Sequence, residues 1–313
     1  MLAYVVRRVL ATIPVMVVVA LFVFALLHLS PGDPAAIIAG DTATTADIAR
    51  IRMALGLDQP LYWQFGHWLW RLLHGDLGTS IFTNLPVSAL IMQRVEPTVA
   101  LTLSTLVTSI AVAIPMGVVA AWKAGSLIDR GVMVFAVLGF SVPVFVLAYI
   151  LIYVFAIGIP LLPVQGYVSI SRGFVPFLSH IVLPTIGLGT VYTALIARIT
   201  RASMLDVLAQ DYIRTAQAKG LSNGRMLVGH ALKNAAVPIA TIIGIGVGLL
   251  ISGVVVTETV FAIPGVGRLT VDAILRRDYP VIQGIILIFS FAYVMINLLV
   301  DLSYTFLDPR IRY

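Results

Sequence analysis

The 313-residue chain contains no cysteine, which excludes disulfides and thiolate metal sites and leaves its redox compartment unmarked. Charge is scarce as well. Only 11% of residues are Asp, Glu, Lys or Arg, against 60% hydrophobic residues and a mean hydropathy of +1.03, so a water-soluble globule is excluded. Signatures of chemistry are missing. No GxxxxGK followed by Ser or Thr is present to cradle nucleotide phosphates, no HExxH, no GxSxG, and no pair of mid-membrane acids. His67 and His74 lie seven apart, nearly on one helical face, but no carboxylate stands beside them to complete a metal site. No catalytic, cofactor-binding or metal-binding set is therefore expected, and no internal repeat or low-complexity tract is visible.

What is there is membrane. Windows free of Asp, Glu, Lys and Arg run from 9 to 32, 97 to 122, 131 to 171, 173 to 197, 234 to 257 and 279 to 300. Each holds the roughly 20 residues that a span needs. The third is long enough for two, but Gly158, Pro160, Pro163 and Gly166 break it after about residue 158. The expected fold is thus an all-α integral membrane protein of six transmembrane helices. An even number puts both ends on one side. With the amino end inside, 12 Lys and Arg lie on the cytoplasmic side and 8 outside, an excess concentrated in the short loops, so both ends are expected to be cytoplasmic. The +6 net charge follows from this bias and needs no nucleic acid.

Residues 1–29 read as an uncleaved first span, because the apolar run is too long for a signal peptide and ends in LLHLSPGDP. Residues 30–97 read as a helical outer subdomain. SPGDP forms a turn, TTADIARIRMALGL a helix capped by Thr44 or Thr45 with Ile48, Ile51 and Leu55 on one face, and DQPLYWQFGHWLWRLLHG a second helix ending at Gly75. The second carries a stripe of Leu61, Phe65, Trp68 and Leu72, widened by Trp63 and Trp70. Those aromatics either lie in the outer membrane interface, meet a substrate-delivery protein, or close the subdomain over the spans. Residues 98–313 form a five-helix core. Its second span is rich in Thr and Ser, which read as bonding across helices or back to their own carbonyls, with packing favoured over lining a polar path. Its third contains Ser141 and Pro143, which read equally as lining a translocation path or as a packing kink. In the fifth, Gly244 and Gly248 allow close helix approach. Beyond it, Glu258 and Arg268 are expected to form at most a surface ion pair. Asp301, the one acid within an apolar span, reads as structural or proton-coupling.

Between the fourth and fifth spans lies a cytoplasmic segment, residues 201–236, centred on a basic stretch, DYIRTAQAKGLSNGRMLVGHALKNAAVP, that runs from Asp211 to Pro238. It is expected to form two short cytoplasmic helices. Asp211 is a cap or first-turn acid for the first, Gly220 its stop, and Ser222 or Asn223 the cap of the second. Ala216, Ala218 and Gly220 leave one face with little bulk.

At these residues the sequence resembles the coupling segment of ABC importer permeases, and more narrowly the first of the two permease subunits of dipeptide and oligopeptide importers. Arg214 and Thr215 stand where the broad importer motif begins Glu-Ala-Ala, and Pro238 falls later than in sugar importers, as in the peptide branch. The resemblance extends through residues 22 to 34, LGLDQPL at 55 to 61, GDLGTS at 75 to 80, and RDYPVIQG through DPRIR; Ile263 stands where the family usually has Trp. It implies a half-permease in the bacterial inner membrane that pairs with a second, homologous permease subunit, two ATP-binding subunits or domains and an outer substrate-binding protein. ATP and Mg would be used by those partners only. Docking to the ATPase would fall to Asp211, Tyr212, Arg214, Thr215, Ala216, Ala218, Lys219, Gly220 and Leu221. The cargo implied is peptides, although close relatives move glutathione, nickel chelates or oligosaccharides. A secondary carrier or channel working without an ATPase is the different-class reading; the shortage of intramembrane charge weighs against it.

Overall fold

The computed structural model describes residues 2–29, 35–36, 44–54 and 57–307. Apart from an isolated bridge between Thr79 and Pro86, the regular structure among them is helical. In chain order the helices are α1 (Leu2–Leu29), α2 (Thr45–Ala54), α3 (Leu61–Leu73), α4 (Val87–Trp122), α5 (Leu127–Ser141), α6 (Val144–Ile152), α7 (Phe174–Leu208), α8 (Asp211–Ala218), α9 (Lys233–Val260), α10 (Val266–Arg276) and α11 (Tyr279–Leu307). A π-helical stretch, Tyr153–Gly158, continues α6, and a helical turn at Asn223–Arg225 followed by another π stretch, Met226–Leu232, leads into α9. Among the described residues five helices are long and apolar enough to cross a membrane, and a bent pair brings the number to six if it counts as one span.

That pair is α5 and α6. The expected proline kink in one span is instead a corner of 102° between two helices. Pro143 has no N–H to continue the ladder and starts α6, while Val142 turns to extended backbone at the end of α5. The fourth span is also longer than its apolar window. At 35 residues α7 measures roughly 50 Å, so it outruns a hydrocarbon core of about 30 Å and carries its last turns beyond it.

The chain divides into two compact units, one of residues 6–93 and 269–292, the other chiefly of 94–268 and 293–313. In the larger unit α9 is the central helix, and its glycines show why. A Cβ at Gly244 or Gly248 would come within 2.8 Å of Val300 and 2.9 Å of Tyr293 on α11. On another face, one at Gly246 would lie 1.9 Å from the Tyr192 ring and one at Gly253 2.5 Å from Leu188, both on α7. Small residues on two faces thus let two neighbours approach closely, the packing device expected where lipid supplies no hydrophobic drive. Tyr192 satisfies its hydroxyl by donating to the Ile243 carbonyl at 2.6 Å. Among the hydroxyls of α4, Ser109 donates to the Gly189 carbonyl of α7 at 3.2 Å, while Thr102 and Thr108 bond back to their own helix. Asp301, half-buried in α11, is likewise engaged by a neighbour.

In the smaller unit α3 leans on the last two turns of α1. Phe24 meets Phe65 edge-on at 5.3 Å and Trp68 at 5.8 Å between centroids, and His28 Nε2 lies 3.1 Å from Gln64 Oε1. Gln283 of α11 donates to the Val23 carbonyl at 3.0 Å. Two motifs nearly 200 residues apart also meet here. Asp278 accepts from the Ser80 hydroxyl at 2.5 Å and the Ile81 N–H at 3.2 Å, tying GDLGTS to RDYP. Arg277, at φ +57°, turns the end of α10 so that Asp278 faces this loop. A left-handed non-glycine residue costs roughly 1–2 kcal/mol, a strain the bonds on Asp278 offset. On the same loop Arg71 and the Gly78 N–H hold the Asp76 carboxyl below its usual range. In α2, Thr44 occupies the cap position and Ile48 is half-buried. The SPGDP turn, Leu55, the Ile51 side chain and the DPRIR tail lie outside the described residues.

Candidate functional site

The segment between α7 and α9 folds as one short helix, not two. Asp211 is in the first turn of α8; the cap position belongs to Gln210, whose side chain makes no capping bond. The end of α8 is as expected. Gly220 adopts φ +77°, its N–H bonds to the Gln217 carbonyl at 2.9 Å, and the Leu221 N–H reaches back to Ala216 at 3.2 Å. That pair of bonds is the Schellman closure, in which a left-handed glycine satisfies carbonyls that the helix end would orphan. Ser222 stands at the next cap position without a side-chain bond, and the helix it opens never ends. It passes through the π stretch straight into α9, so Asn223 to Val260 forms a continuous rod of 38 residues.

A single side chain anchors α8. Ile213 is fully buried against Met204, Met226, Leu227 and Ala231, with Leu221 half-buried beside them. Asp211, Tyr212, Arg214, Thr215, Ala218, Lys219 and Gly220 are exposed, and Ala216 is half-buried. The Asp211–Arg214 pair at 3.7 Å is fully in solvent and contributes little. The result is a short polar helix with small residues toward its end, fixed at one point between Met204 of α7 and the π stretch that leads into α9.

Close by in sequence to Met204, Arg201 of α7 forks onto Asp129 of α5 through its Nε and through Nη2 at 2.8 Å, and Asp129 also accepts from the Gly125 N–H at 2.9 Å. Asp129 is nearly buried, so removing one partner strands the other. Arg201→Ala or Asp129→Ala should each cost on the order of 2 kcal/mol, read as a lower melting temperature in detergent. The exchange Asp129→Arg with Arg201→Asp should regain part of it; equal losses in single and double variants would deny the pairing.

At the opposite end of α9, Glu258 was expected in a surface pair with the Arg268 side chain. It is instead completely buried and binds backbone. Thr98 donates to it at 2.6 Å, the Arg268 N–H at 2.9 Å, and the Gly267 N–H as well, while the Val266 N–H donates to Thr98 Oγ1 at 2.8 Å. The carboxylate therefore caps the first turn of α10, where unpaired N–H groups and the helix dipole favour negative charge. Gly265 and Gly267 are required by this approach, since Cβ atoms there would come within 2.1 Å and 2.9 Å of the carboxylate. Two glycines soon after an isolated acid were the visible signal.

Ser141 is exposed and donates to the Val137 carbonyl of its own helix at 2.8 Å; Pro143 is also exposed. Neither lines the apolar cleft of about 690 Å³ between α4, α5 and α7. His67 stacks on Trp63 and His74 lies tilted against Trp70, and among the described residues no three metal-ligating side chains converge.

The family model for a binding-protein-dependent transport system inner membrane component matches residues 113–313, and the model for the N-terminal part of such components matches residues 1–102. A probable peptide ABC transporter permease protein of Sinorhizobium fredii is 56% identical over 99% of both chains. A putative peptide transport system permease protein of Brucella abortus is 47% identical over the full length of both. The dipeptide transport system permease protein of Escherichia coli is 40% identical, covering 100% of this chain and 99% of its own. The chain belongs to the binding-protein-dependent transport system inner membrane components: it is a multi-pass permease subunit of a bacterial ABC importer, a transport component and not a catalyst.

Proposed function

We propose that this subunit forms half of the translocation path of an importer for peptides, dipeptides or oligopeptides, and that α8 is the element its ATPase grips. The observation that carries the reading is the exposed helix held by Ile213 alone at the end of α7. A helix with one buried anchor and a free polar face is shaped to be enclosed by a second protein. The continuous rod from Asn223 to Val260 then gives the motor a lever that crosses the membrane. Membership of the family implies ATPase and binding-protein partners. A second, homologous permease subunit would complete the path, with ATP and Mg bound by two ATP-binding subunits or domains and none by this chain. Alternation between inward and outward openings would move the cargo. The peptide assignment rests on the names borne by all three relatives.

Purification from native membranes tests both halves of this reading. The chain should bring with it an ATPase, a second permease and a binding protein, and should hydrolyse no ATP once separated. A cysteine introduced by Ser222→Cys should react with an impermeant thiol reagent only from the cytoplasmic side. Labelling from outside, or uptake in vesicles holding this chain alone, would remove the motor from the mechanism. Among candidate cargoes, stimulation of ATP hydrolysis by dipeptides, and not by glutathione, nickel chelates or oligosaccharides, would bear out the substrate class.

A further inference from the structure

Helix α3 has two faces of different fate. Phe65 and Trp68, on one side, pack against Phe24 of α1. The other side carries Tyr62, Trp63, Trp70 and Leu73, exposed at 79%, 50%, 63% and 73%, and no residue of α3 is fully buried. Four large apolar side chains on one face of a 13-residue helix make a patch that soluble surfaces rarely leave open. The expected stripe thus divides: part of it closes the subdomain and part of it is uncovered.

Position says what covers the rest. Phe24 and His28 belong to the last two turns of α1, a helix whose apolar span runs from Val6 to Leu29. Contact with those turns puts α3 within about 8 Å of the end of a membrane-crossing helix, at 1.5 Å per residue, which is the depth of the headgroup boundary. Composition agrees. The helix LYWQFGHWLWRLL has no acid, and Arg71 is already paired with Asp76 at 2.7 Å. Trp63 lies parallel to the His67 ring at 5.3 Å, and Trp70 sits 4.3 Å from His74, so each indole is held beside a polar ring, apolar body outward. Trp and Tyr in such a setting favour the membrane–water interface, where an amphipathic helix lies in plane with its apolar face in the acyl boundary.

We infer that α3 is an in-plane membrane anchor, with Tyr62, Trp63, Trp70 and Leu73 seated among lipid headgroups beside the end of α1. The face would then hold the subdomain at a fixed height on the bilayer, independently of transport partners.

The absence of cysteine from this chain makes the test direct. Spin labels are placed one at a time through Trp63→Cys, Trp70→Cys and Leu73→Cys, in the complete transporter assembled with cysteine-free partners in phosphatidylethanolamine–phosphatidylglycerol vesicles. Collision with oxygen, which concentrates in lipid, is compared with collision with a water-soluble nickel chelate. Val18→Cys, in the middle of α1, and Ser171→Cys, on an exposed turn away from α8, serve as the lipid and aqueous references. All three labels should give an oxygen-to-nickel ratio between the references and several-fold above Ser171→Cys. A ratio equal to that of Ser171→Cys means the face is in water, and exclusion of both reagents means protein covers it; either result overturns the inference. Three sites on one face keep the test decisive where a single exchange disturbs the local fold.

Discussion

Gly220→Val should lower uptake at least tenfold while leaving the subunit inserted in the membrane. Nothing lies within 4 Å of a Cβ at this position, so the substitution meets no neighbour. Its effect comes from the backbone at φ +77°, where a β-branched residue is strained by roughly 1–3 kcal/mol. The strain falls on the two bonds that close α8, from Gly220 to Gln217 and from Leu221 to Ala216. Ile213 alone fixes the helix, so the segment yields by moving and the membrane core stays intact. A displaced docking helix should lower uptake at least tenfold, which corresponds to about 1.4 kcal/mol in docking. Gly220→Asn provides the contrast, because Asn tolerates the left-handed region and should keep most of the activity. Uptake per subunit in the membrane checks both. Normal uptake in the Val variant would sink the docking role of α8. An Asn variant as poor as the Val variant would shift the cause from the turn to bulk on the docking face.

The second large effect belongs to Glu258. In Glu258→Ala the N–H groups of Gly267 and Arg268 lose the acceptor that a fully buried side chain gave them, and the Thr98 hydroxyl is left with the Arg94 carbonyl at 3.3 Å. Each stranded group costs about 1–3 kcal/mol, so the total should reach on the order of 4 kcal/mol. For a unit of this size that lowers the melting temperature by roughly 10 °C. Glu258→Gln keeps one carbonyl oxygen but sets an amide NH₂ against backbone donors, and should fall between. Gly265→Ala should be as damaging as the loss of the acid, since its Cβ would come within 2.1 Å of the carboxylate. Melting of the purified transporter in detergent decides the matter. A Glu258→Ala variant within about 2 °C of the parent would show that the acid is not the anchor of α10.

The two predictions also separate what was legible in the chain from what was not. Charge-free windows marked the five long apolar helices and the bent pair among the described residues, because a bilayer imposes length and polarity on each segment by itself. Gly220 marked the end of α8 for a similarly local reason: the left-handed turn concerns only the residues that make it. The glycines at 244 and 248 announced a close neighbour, and the pattern of their spacing put them on one face before that neighbour, α11, was known. The run that follows Ser222 was misjudged as a second short helix, since nothing local separates a helix that stops from one that passes through a π stretch into a span.

Composition and periodicity by themselves determined that this protein is a helical membrane protein with a polar segment between its fourth and fifth spans, while its place as a transport subunit rested on its resemblance to a family. Tertiary structure alone decided that Glu258 is a buried cap, that Asp278 ties GDLGTS to RDYP, that Asp129 grips Arg201, and that α5 and α6 meet at a corner. The physical reason is range. Hydrophobic length and turn geometry act within a few residues, whereas a carboxylate's choice between solvent, a guanidinium and a row of backbone N–H groups depends on which distant segments the packing brings to it.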